Sequence, residues 1–456
     1  MTTTSIPPKP VVFIGAAGEM CRLAVERFAK ASDAPLILTD INTAVLETVA
    51  SKLNVSASRI TTAKLDLFDR PALLDLIKDA ALVVLGAGPY MRTSEPVLTA
   101  CLEVKVPYLD FGDDVESTQA ALALHEKAKA EGVPCYIGCG ASPGLSNVMA
   151  MDVTQALDKV DSIDLCWSVT EGGDTTGKAV LEHLLHIAAG PCLTWANGRP
   201  TIHESWVETM HAPMISGEGE MLLHETAHPE PVTLPRLFPN ASRIRCMGSL
   251  SPAPYNGIAR GIGCAVRRNA LSMSEAIDFL VNVLNEETSA AGWTGLFGGL
   301  TAQFRGGDIT IKELFQLLAN ANRKLTPWRY ALWGMLEQIW SGECTIGQVL
   351  SFLVNAARGD LKASGGGMLV RAVGTRNGVP ASITKRSPRA GEDSYLYSSM
   401  GTATGTSCAA FMVLAMEDGL KRSGVYAPED WADPERFYGA LERVGTPRHE
   451  IIERVS

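Results

Sequence analysis

The stretch Val11-Val12-Phe13-Ile14-Gly15-Ala16-Ala17-Gly18-Glu19-Met20 reads as an apolar strand that runs into a glycine-containing turn and then into the helical pattern Leu23-Ala24-Val25-Glu26-Arg27-Phe28. A dinucleotide-binding unit begins in this way: Gly15 allows the tight turn, and the small Ala16, Ala17 and Gly18 let backbone N–H groups approach a pyrophosphate at the positive end of the helix. The match is imperfect, because Ala17 and Met20 stand where G-x-G-x-x-G has its second and third glycines.

The sequence that follows strengthens the reading. Pro35-Leu36-Ile37-Leu38-Thr39-Asp40 is a second buried strand that ends in an acid, at the distance where a Rossmann unit places the acceptor for the ribose hydroxyls. Asp40 repels a 2′-phosphate, and Ile41 and Asn42 supply no cation, so NAD is expected in preference to NADP. A third strand runs from Ile60 toward Asp66, and a fourth, Ala81 to Leu85, leads into Gly86-Ala87-Gly88-Pro89. Strands alternating with helices predict an α/β fold with a doubly wound parallel sheet and the ligand at the carboxyl ends of its strands.

With 456 residues and 46% hydrophobic content, the chain is long enough for more than one core. The net charge of −10 argues against a nucleic-acid partner and for a small molecule. The 10 cysteines show neither a C-x-x-C pair nor a zinc-type Cys/His spacing, so they read as reduced and mostly buried, and no metal is expected. The first ten residues lack the pattern of a signal peptide and no apolar run is long enough to span a membrane, so a cytoplasmic location is the expectation.

Val106 to Phe111 and Val133 to Gly138 predict two more strands around a helix over Glu116 to Glu131, and the turn Ser142-Pro143-Gly144-Leu145-Ser146-Asn147 then opens another helix. A strand over Ser162 to Val169 and a helix containing His183 and His186 follow. Ser272-Met273-Ser274-Glu275 forms a capping box, and later helices are expected over Ile311 to Ala321, Pro327 to Ile339 and Ile346 to Ala357. Trp328, Tyr330, Trp333 and Trp340 are expected to pack in a core, with a subunit contact as the other reading. Asn377-Gly378 between two apolar runs predicts a hairpin.

Taken in order, these marks resemble the saccharopine dehydrogenase family in its saccharopine reductase-like branch: G-A-A-G-E-M, Gly88-Pro89-Tyr90, Tyr108-Leu109-Asp110, the Ser142–Asn147 turn, His228-Pro229-Glu230-Pro231, the Asn377-Gly378 hairpin and Gly424-Val425-Tyr426-Ala427-Pro428-Glu429. The resemblance implies a Rossmann domain over 1–145, an α+β substrate and dimerisation domain over 146–390 with a helical insertion at about 270–360, and C-terminal helices over 391–456 that return to the first domain. It implies hydride transfer between a nicotinamide cofactor and the C–N bond of an amino-acid-derived secondary amine or imine, with a homodimer as the matching assembly.

Carried over residue by residue, the resemblance puts Gly15, Ala16, Ala17, Gly18, Glu19 and Met20 at the phosphates, Asp40 and Ile41 at the ribose, Asp66 near the adenine, and Gly88, Pro89 and Tyr90 beside the nicotinamide. Tyr90, Asp114 and His183 are the candidates for donating or relaying a proton. His186 and the strand pair Arg243 and Arg245 are candidates for substrate binding; the arginines read equally well as salt-bridge partners, and the histidines as satisfied helix positions. Two other classes stay open, namely a homospermidine synthase-like aminoalkyl transferase with tightly held NAD, and a non-catalytic NAD-binding scaffold.

Overall fold

Val11–Ile14 (β1) is wholly apolar and buried, and sits in the interior of a sheet covered by helices on both faces. The computed structural model describes residues 8–170, 178–217, 219–284, 311–358, 366–388 and 394–455. Leu36–Asp40 (β2), Ile60–Lys64 (β3), Leu82–Leu85 (β4), Tyr108–Asp110 (β5) and Pro134–Tyr136 (β6) complete the N-terminal part of this sheet. All of its pairings are parallel, and with Gly424–Tyr426 as β15 the strand order is β15-β6-β5-β4-β1-β2-β3. The order reverses between β1 and β4, so the loops after these two strands flank the crevice where such sheets bind ligands. The seventh strand, Gly424–Tyr426 (β15), comes from the C-terminal segment and pairs with β6.

The second sheet has nine strands, and its long central strand Lys159–Thr170 (β7) lies between Arg243–Ser251 (β12) and Gly367–Arg376 (β13). Pro191–Ala196 (β8), Arg199–Glu204 (β9), Thr209–Ala212 (β10), Met221–Glu225 (β11), Val379–Arg386 (β14) and Glu453–Arg454 (β16) fill the remaining positions. β13 and β14 form the expected hairpin: Arg376 pairs with Val379, and Asn377 (φ 51°) and Gly378 (φ 75°) take the left-handed conformations of a two-residue turn. Ile163, Leu165, Ile244, Val370 and Ala372 belong to the same buried cluster as the strands of the first sheet, with the helix Leu145–Thr154 packed on β7 and β13, so the two sheets share one hydrophobic interior.

Three expectations differ from the structure. The helix predicted over Glu116 to Glu131 is two, Val115–Ala123 and His125–Glu131, broken at Leu124. The two helices predicted around Pro327 are one, Ile311–Trp340, with the proline inside. An interior proline costs about 3 kcal/mol, and this helix offsets that by close packing on Pro254–Arg267, where Gly261 lies against the Tyr330 carbonyl and Gly334 against the Gly257 carbonyl with no room for a Cβ. Along the same helix the aromatic residues do not all enter a core. Trp328 meets Phe279 edge-on, whereas Trp333 and Trp340 are 50% and 68% exposed, because the glycine crossing turns their face outward.

The helix Met400–Glu417 is apolar or small all round and is buried on nearly every side, packed against Glu19–Ala31 behind the phosphate loop. The turn Ser142–Asn147 ties these layers together. Gly144 adopts φ 130°, and a Cβ there would lie 1.9 Å from the Gly140 carbonyl oxygen. Gly144→Ala is therefore expected to cost about 3 kcal/mol or more, measured as a lowered midpoint in chemical denaturation; an unchanged midpoint would show that this turn does not constrain the fold.

Candidate active site

The phosphate loop leaves β1 at Gly15, whose φ of 86° suits glycine. Gly15 and Ala16 donate their N–H groups to the Thr39 carbonyl, and Ala17 donates to Asp40 Oδ2 at 3.1 Å, so the loop is pinned to the end of β2. A Cβ at Gly15 would lie 2.7 Å from Ala87, the loop after β4; the glycine is thus required by a contact within the protein as well as by its backbone angle. Glu19 opens the helix Glu19–Ala31, and its carboxyl group packs on Gly401, while Met20 lies partly buried against the core. This chain's close helix approach is supplied by Gly405, which seats against the Met20 carbonyl, rather than by a third glycine in the fingerprint.

At the adenosine end, Asp40 Oδ1 accepts from Asn42 N–H at 2.9 Å, and Ile41 and Phe68 are 68% and 63% exposed at the ends of β2 and β3. Asp66 accepts from Phe68 N–H at 3.0 Å and holds that turn. Lys64 is the register neighbour of Asp40 across β2 and β3, a cation that the local sequence around Asp40 did not reveal. The glycine cradle, the helix N-terminus and the two exposed apolar side chains fit a dinucleotide.

At the other end, Thr93 Oγ1 donates to the Ala87 carbonyl at 2.6 Å and fixes the Gly88-Pro89 loop. Tyr90 is buried against Gly112 and meets Phe111 edge-on. Burial, and then the charge of Asp113, push its phenol well above the usual tyrosine range, so it holds its proton firmly.

Beyond this loop a charged array joins the two domains. Asp110, at the end of β5, takes hydrogen bonds from the N–H groups of Gly112 and Gly138 and from Tyr108 Oη, and so positions the next residues, Asp113 and Asp114. Asp114 Oδ2 accepts from Met91 N–H at 3.0 Å and Oδ1 from His183 Nδ1 at 3.0 Å, while His183 Nε2 lies 3.3 Å from Asp113 Oδ2. His183 comes from the helix Lys178–Ala189 of the second domain, which also pairs His186 with Glu116 at 3.3 Å and Glu182 with Arg92 at 2.7 and 2.9 Å.

Burial opposes charge on His183, but the two carboxylates outweigh it and raise the imidazole to about 9. Burial raises Asp113 to about 6 against the pull of His183. Asp114 is also buried, yet the hydrogen bond and charge of His183 and the Met91 N–H bring it below the usual carboxylate range. At neutral pH His183 is an imidazolium between two carboxyl groups, one of which titrates near neutrality. Sequence reasoning selected Asp114 and His183 but missed Asp113, which differs from its neighbour only in where its side chain points.

His228 forms the far wall, with its ring 5.8 Å from His183 and 5.5 Å from Trp167. Burial, reinforced by the charge of His183, lowers it to about 3, so it is neutral. Below it, Glu230 Oε1 accepts from Ser142 Oγ at 2.5 Å and Ser146 Oγ at 2.7 Å, and Asn147 donates to Glu429 at 2.8 Å. Three sequence marks more than eighty residues apart meet here. The donor sets Asp113/Asp114/His183 and His228/Glu230/Cys246 each fall within 4.8 Å, close enough for a metal ion, although burial holds the Cys246 thiol protonated at neutral pH.

Arg243 and Arg245 do not join this cleft. Their neighbour Ile244 faces the shared core, so both project from the opposite face of the second sheet, where they and Arg371 surround Asp164 at 3.5, 2.7 and 2.8 Å. Three arginines hold Asp164 below the usual carboxylate range despite its burial.

Residues 11–135 match the saccharopine dehydrogenase NADP binding domain family. The chain is 26% identical over 136 residues to a carboxynorspermidine synthase of Vibrio cholerae serotype O1, and 27% identical over 164 residues to a carboxyaminopropylagmatine dehydrogenase of Synechocystis sp.. These alignments cover 26% and 34% of this chain and only 32% and 40% of the two relatives. The saccharopine dehydrogenase (L-Glu forming) of Saccharomyces cerevisiae has the same fold over 98% of this chain and 100% of its own, with a TM-score of 0.60 at 11% identity.

Asp114→Ala removes one of the two acceptors for His183. The His183 pKa should fall from about 9 toward its ordinary value, read by NMR titration of the imidazole; an unmoved titration would show that the array does not hold the charge.

Proposed function

From a chain that carries the saccharopine dehydrogenase NADP binding domain within the saccharopine dehydrogenase fold, we propose an NAD(P)-dependent dehydrogenase or reductase acting on the C–N bond of an amino-acid-derived secondary amine or its imine. The observation that carries the proposal is the Asp113–His183–Asp114 array, which stands at the carboxyl ends of the central strands, beside the Gly86–Tyr90 loop, and is closed by a helix of the second domain. Both of these relatives are named for compounds that combine amines with a carboxyl group, and a carboxylated secondary amine of that kind is the proposed substrate class.

When bound, the dinucleotide supplies or accepts the hydride at the substrate carbon. The chain's own residues manage the proton. In reduction, the array delivers one proton to the imine nitrogen as the carbon receives the hydride, giving the CH–NH product; in oxidation the same proton returns to the array. Asp113, with its pKa near 6, makes the exchange with the nitrogen, and the His183 imidazolium replenishes it. Asp114 holds the ring and the Met91 end of the helix Tyr90–Val104 in place. Arg92–Glu182 and His186–Glu116 hold the two domains together around the cleft, which limits the entry of water. Tyr90, buried and strongly protonated, serves as a wall.

NAD is the proposed cofactor, supported by the Asp40 carboxylate at the ribose position; Lys64 beside it in the strand register favours NADP as the second reading. A cytoplasmic homodimer that acts on a small molecule, without a nucleic-acid partner, completes the proposal. The charge of −10 supports the absence of a nucleic-acid partner, and no helix among the described residues is long and apolar enough to cross a membrane.

Absorbance of NADH and of NADPH, followed with amines and amino acids crossed with aldehydes and oxo acids, should reveal at least one pair that consumes reduced cofactor. Silence across the matrix with dinucleotide bound would overturn the reading. Asp40→Ala should weaken NADH binding roughly tenfold or more and narrow its lead over NADPH; a preference left intact in both directions would remove Asp40 from cofactor selection.

The reductive rate should fall as pH rises through about 9, where the His183 imidazolium loses its proton. His183→Gln should abolish that alkaline limb, and an identical limb in the variant would assign it to another group.

A further inference from the structure

His228, Glu230 and Cys246 bring a ring nitrogen, a carboxylate oxygen and a thiol within 4.8 Å of one another, and all three side chains are buried. The backbone dictates the meeting. Just past β11 the Thr226 N–H donates to the Cys246 carbonyl at 3.0 Å, so the chain that leads to His228 and Glu230 crosses β12 at this point. Cys246 alternates along β12 onto the face of Ile244 and Gly248, and Trp167, the register neighbour of Gly248, offers on that face the ring on which His228 packs at 5.5 Å.

His228 Nδ1, His228 Nε2 and Glu230 Oε2 have no hydrogen-bond partner among the described residues. No protonation state removes the deficit. Either tautomer of the imidazole leaves an N–H without an acceptor and a bare nitrogen without a donor, and Oε2 is unmatched both as an ionised and as a protonated carboxyl oxygen. The Ser142 backbone favours a proton on the ring but closes no hydrogen bond to it. Buried polar atoms are nearly always matched, so three that converge point to a ligand. A water molecule would serve the nitrogen and the oxygen but would leave the charge of Glu230 uncompensated. Among the described residues its ionic contact is His228, 3.7 Å away and neutral. That 3.7 Å, between Nδ1 and Oε2, also suits a metal: donors bound to one zinc ion at about 2.0–2.3 Å stand roughly 3.3–3.6 Å apart.

We propose that His228, Glu230 and Cys246 form a zinc site, with Ser142 Oγ, 3.9 Å from the thiol, bordering the fourth tetrahedral position. Thiolate and imidazole donors select zinc over magnesium and calcium. A thiol bound to the ion loses its proton outright, and the two positive charges then cancel those of the Cys246 thiolate and the Glu230 carboxylate, so the buried site is neutral as a whole. The set Asp113, Asp114 and His183 differs in this respect, because both ring nitrogens of His183 are already engaged, at 3.0 and 3.3 Å. Zinc clamps β12 to the connection after β11 and, through the hydrogen bond between Ser142 and Glu230, to the turn that ends the first domain. The site does not depend on the oxidoreductase reading.

The test loads the full chain with zinc chloride, removes free metal by dialysis and measures the zinc retained by elemental analysis. Cobalt chloride replaces zinc in a parallel sample, whose absorption spectrum reports the ligands. The wild type should retain a zinc ion for each chain, its thermal midpoint should rise with zinc, and cobalt should give the near-ultraviolet band of a thiolate–metal bond. Cys246→Ala should remove that band, and Cys246→Ala and His228→Gln should each weaken zinc roughly a hundredfold or more. A wild type that retains no zinc, or bound cobalt without the thiolate band, overturns the site whether or not the variants fold. Equal zinc retention by the wild type and both variants overturns it as well, since the ion would then lie elsewhere. Turnover of amine–carbonyl pairs is read separately: a zinc site without turnover counts against the oxidoreductase reading alone, and turnover by a chain that retains no zinc counts against the zinc site alone.

Discussion

Glu230 is buried completely, and one of its carboxyl oxygens receives the hydroxyls of Ser142 and Ser146. Next to it Asn147 bridges the Gly144 backbone, Thr233 and Glu429. This knot binds the last N-terminal strand connection of the first domain to the second domain and to the C-terminal segment that supplies β15. Leaving buried polar groups of this kind unpaired is costly, so the hydrogen bonds to Glu230 Oε1 and Asn147 favour the arrangement of the three segments that makes them, although Glu230 Oε2 has no hydrogen-bond partner among the described residues. His228, two residues before Glu230, takes its place in the cleft from the same anchor.

Given that anchor, the electrostatics of the cleft follow from placement. A pair of adjacent aspartates following a strand end would be unremarkable in solvent. Here a helix from the other domain inserts His183 between them, and burial makes their charges matter. The outcome is a split between neighbouring carboxyl groups, one raised to about 6 and one lowered, which suits one for proton exchange and the other for holding the ring. His228, held neutral by burial and by the charge of His183, then closes the far side of the cleft.

Much of this was legible in the sequence. The Rossmann unit was readable from Val11 to Asp40 because strand, turn and helix are local and the glycine at 15 has a local cause. The hairpin was readable because Asn377 and Gly378 tolerate the left-handed turn. The reading failed where a distant partner decides. Pro327 breaks a helix in isolation, but the glycine crossing between Pro254–Arg267 and Ile311–Trp340 holds it in one helix. Arg243 and Arg245 did share a face as their spacing predicts, yet only the packing of Ile244 showed that the face turns away from the cleft.

Periodicity, turn chemistry and residue type over short spans were enough to read the dinucleotide-binding unit, the class of fold and the candidates Asp114 and His183. The tertiary structure alone decided that Asp113 joins them, that His228 faces His183, and that Trp167 and Tyr397 line one small cavity. These groups come from segments separated by up to some 280 residues, and their pKa values and hydrogen-bonding states depend on burial and on neighbours, quantities that no local pattern contains.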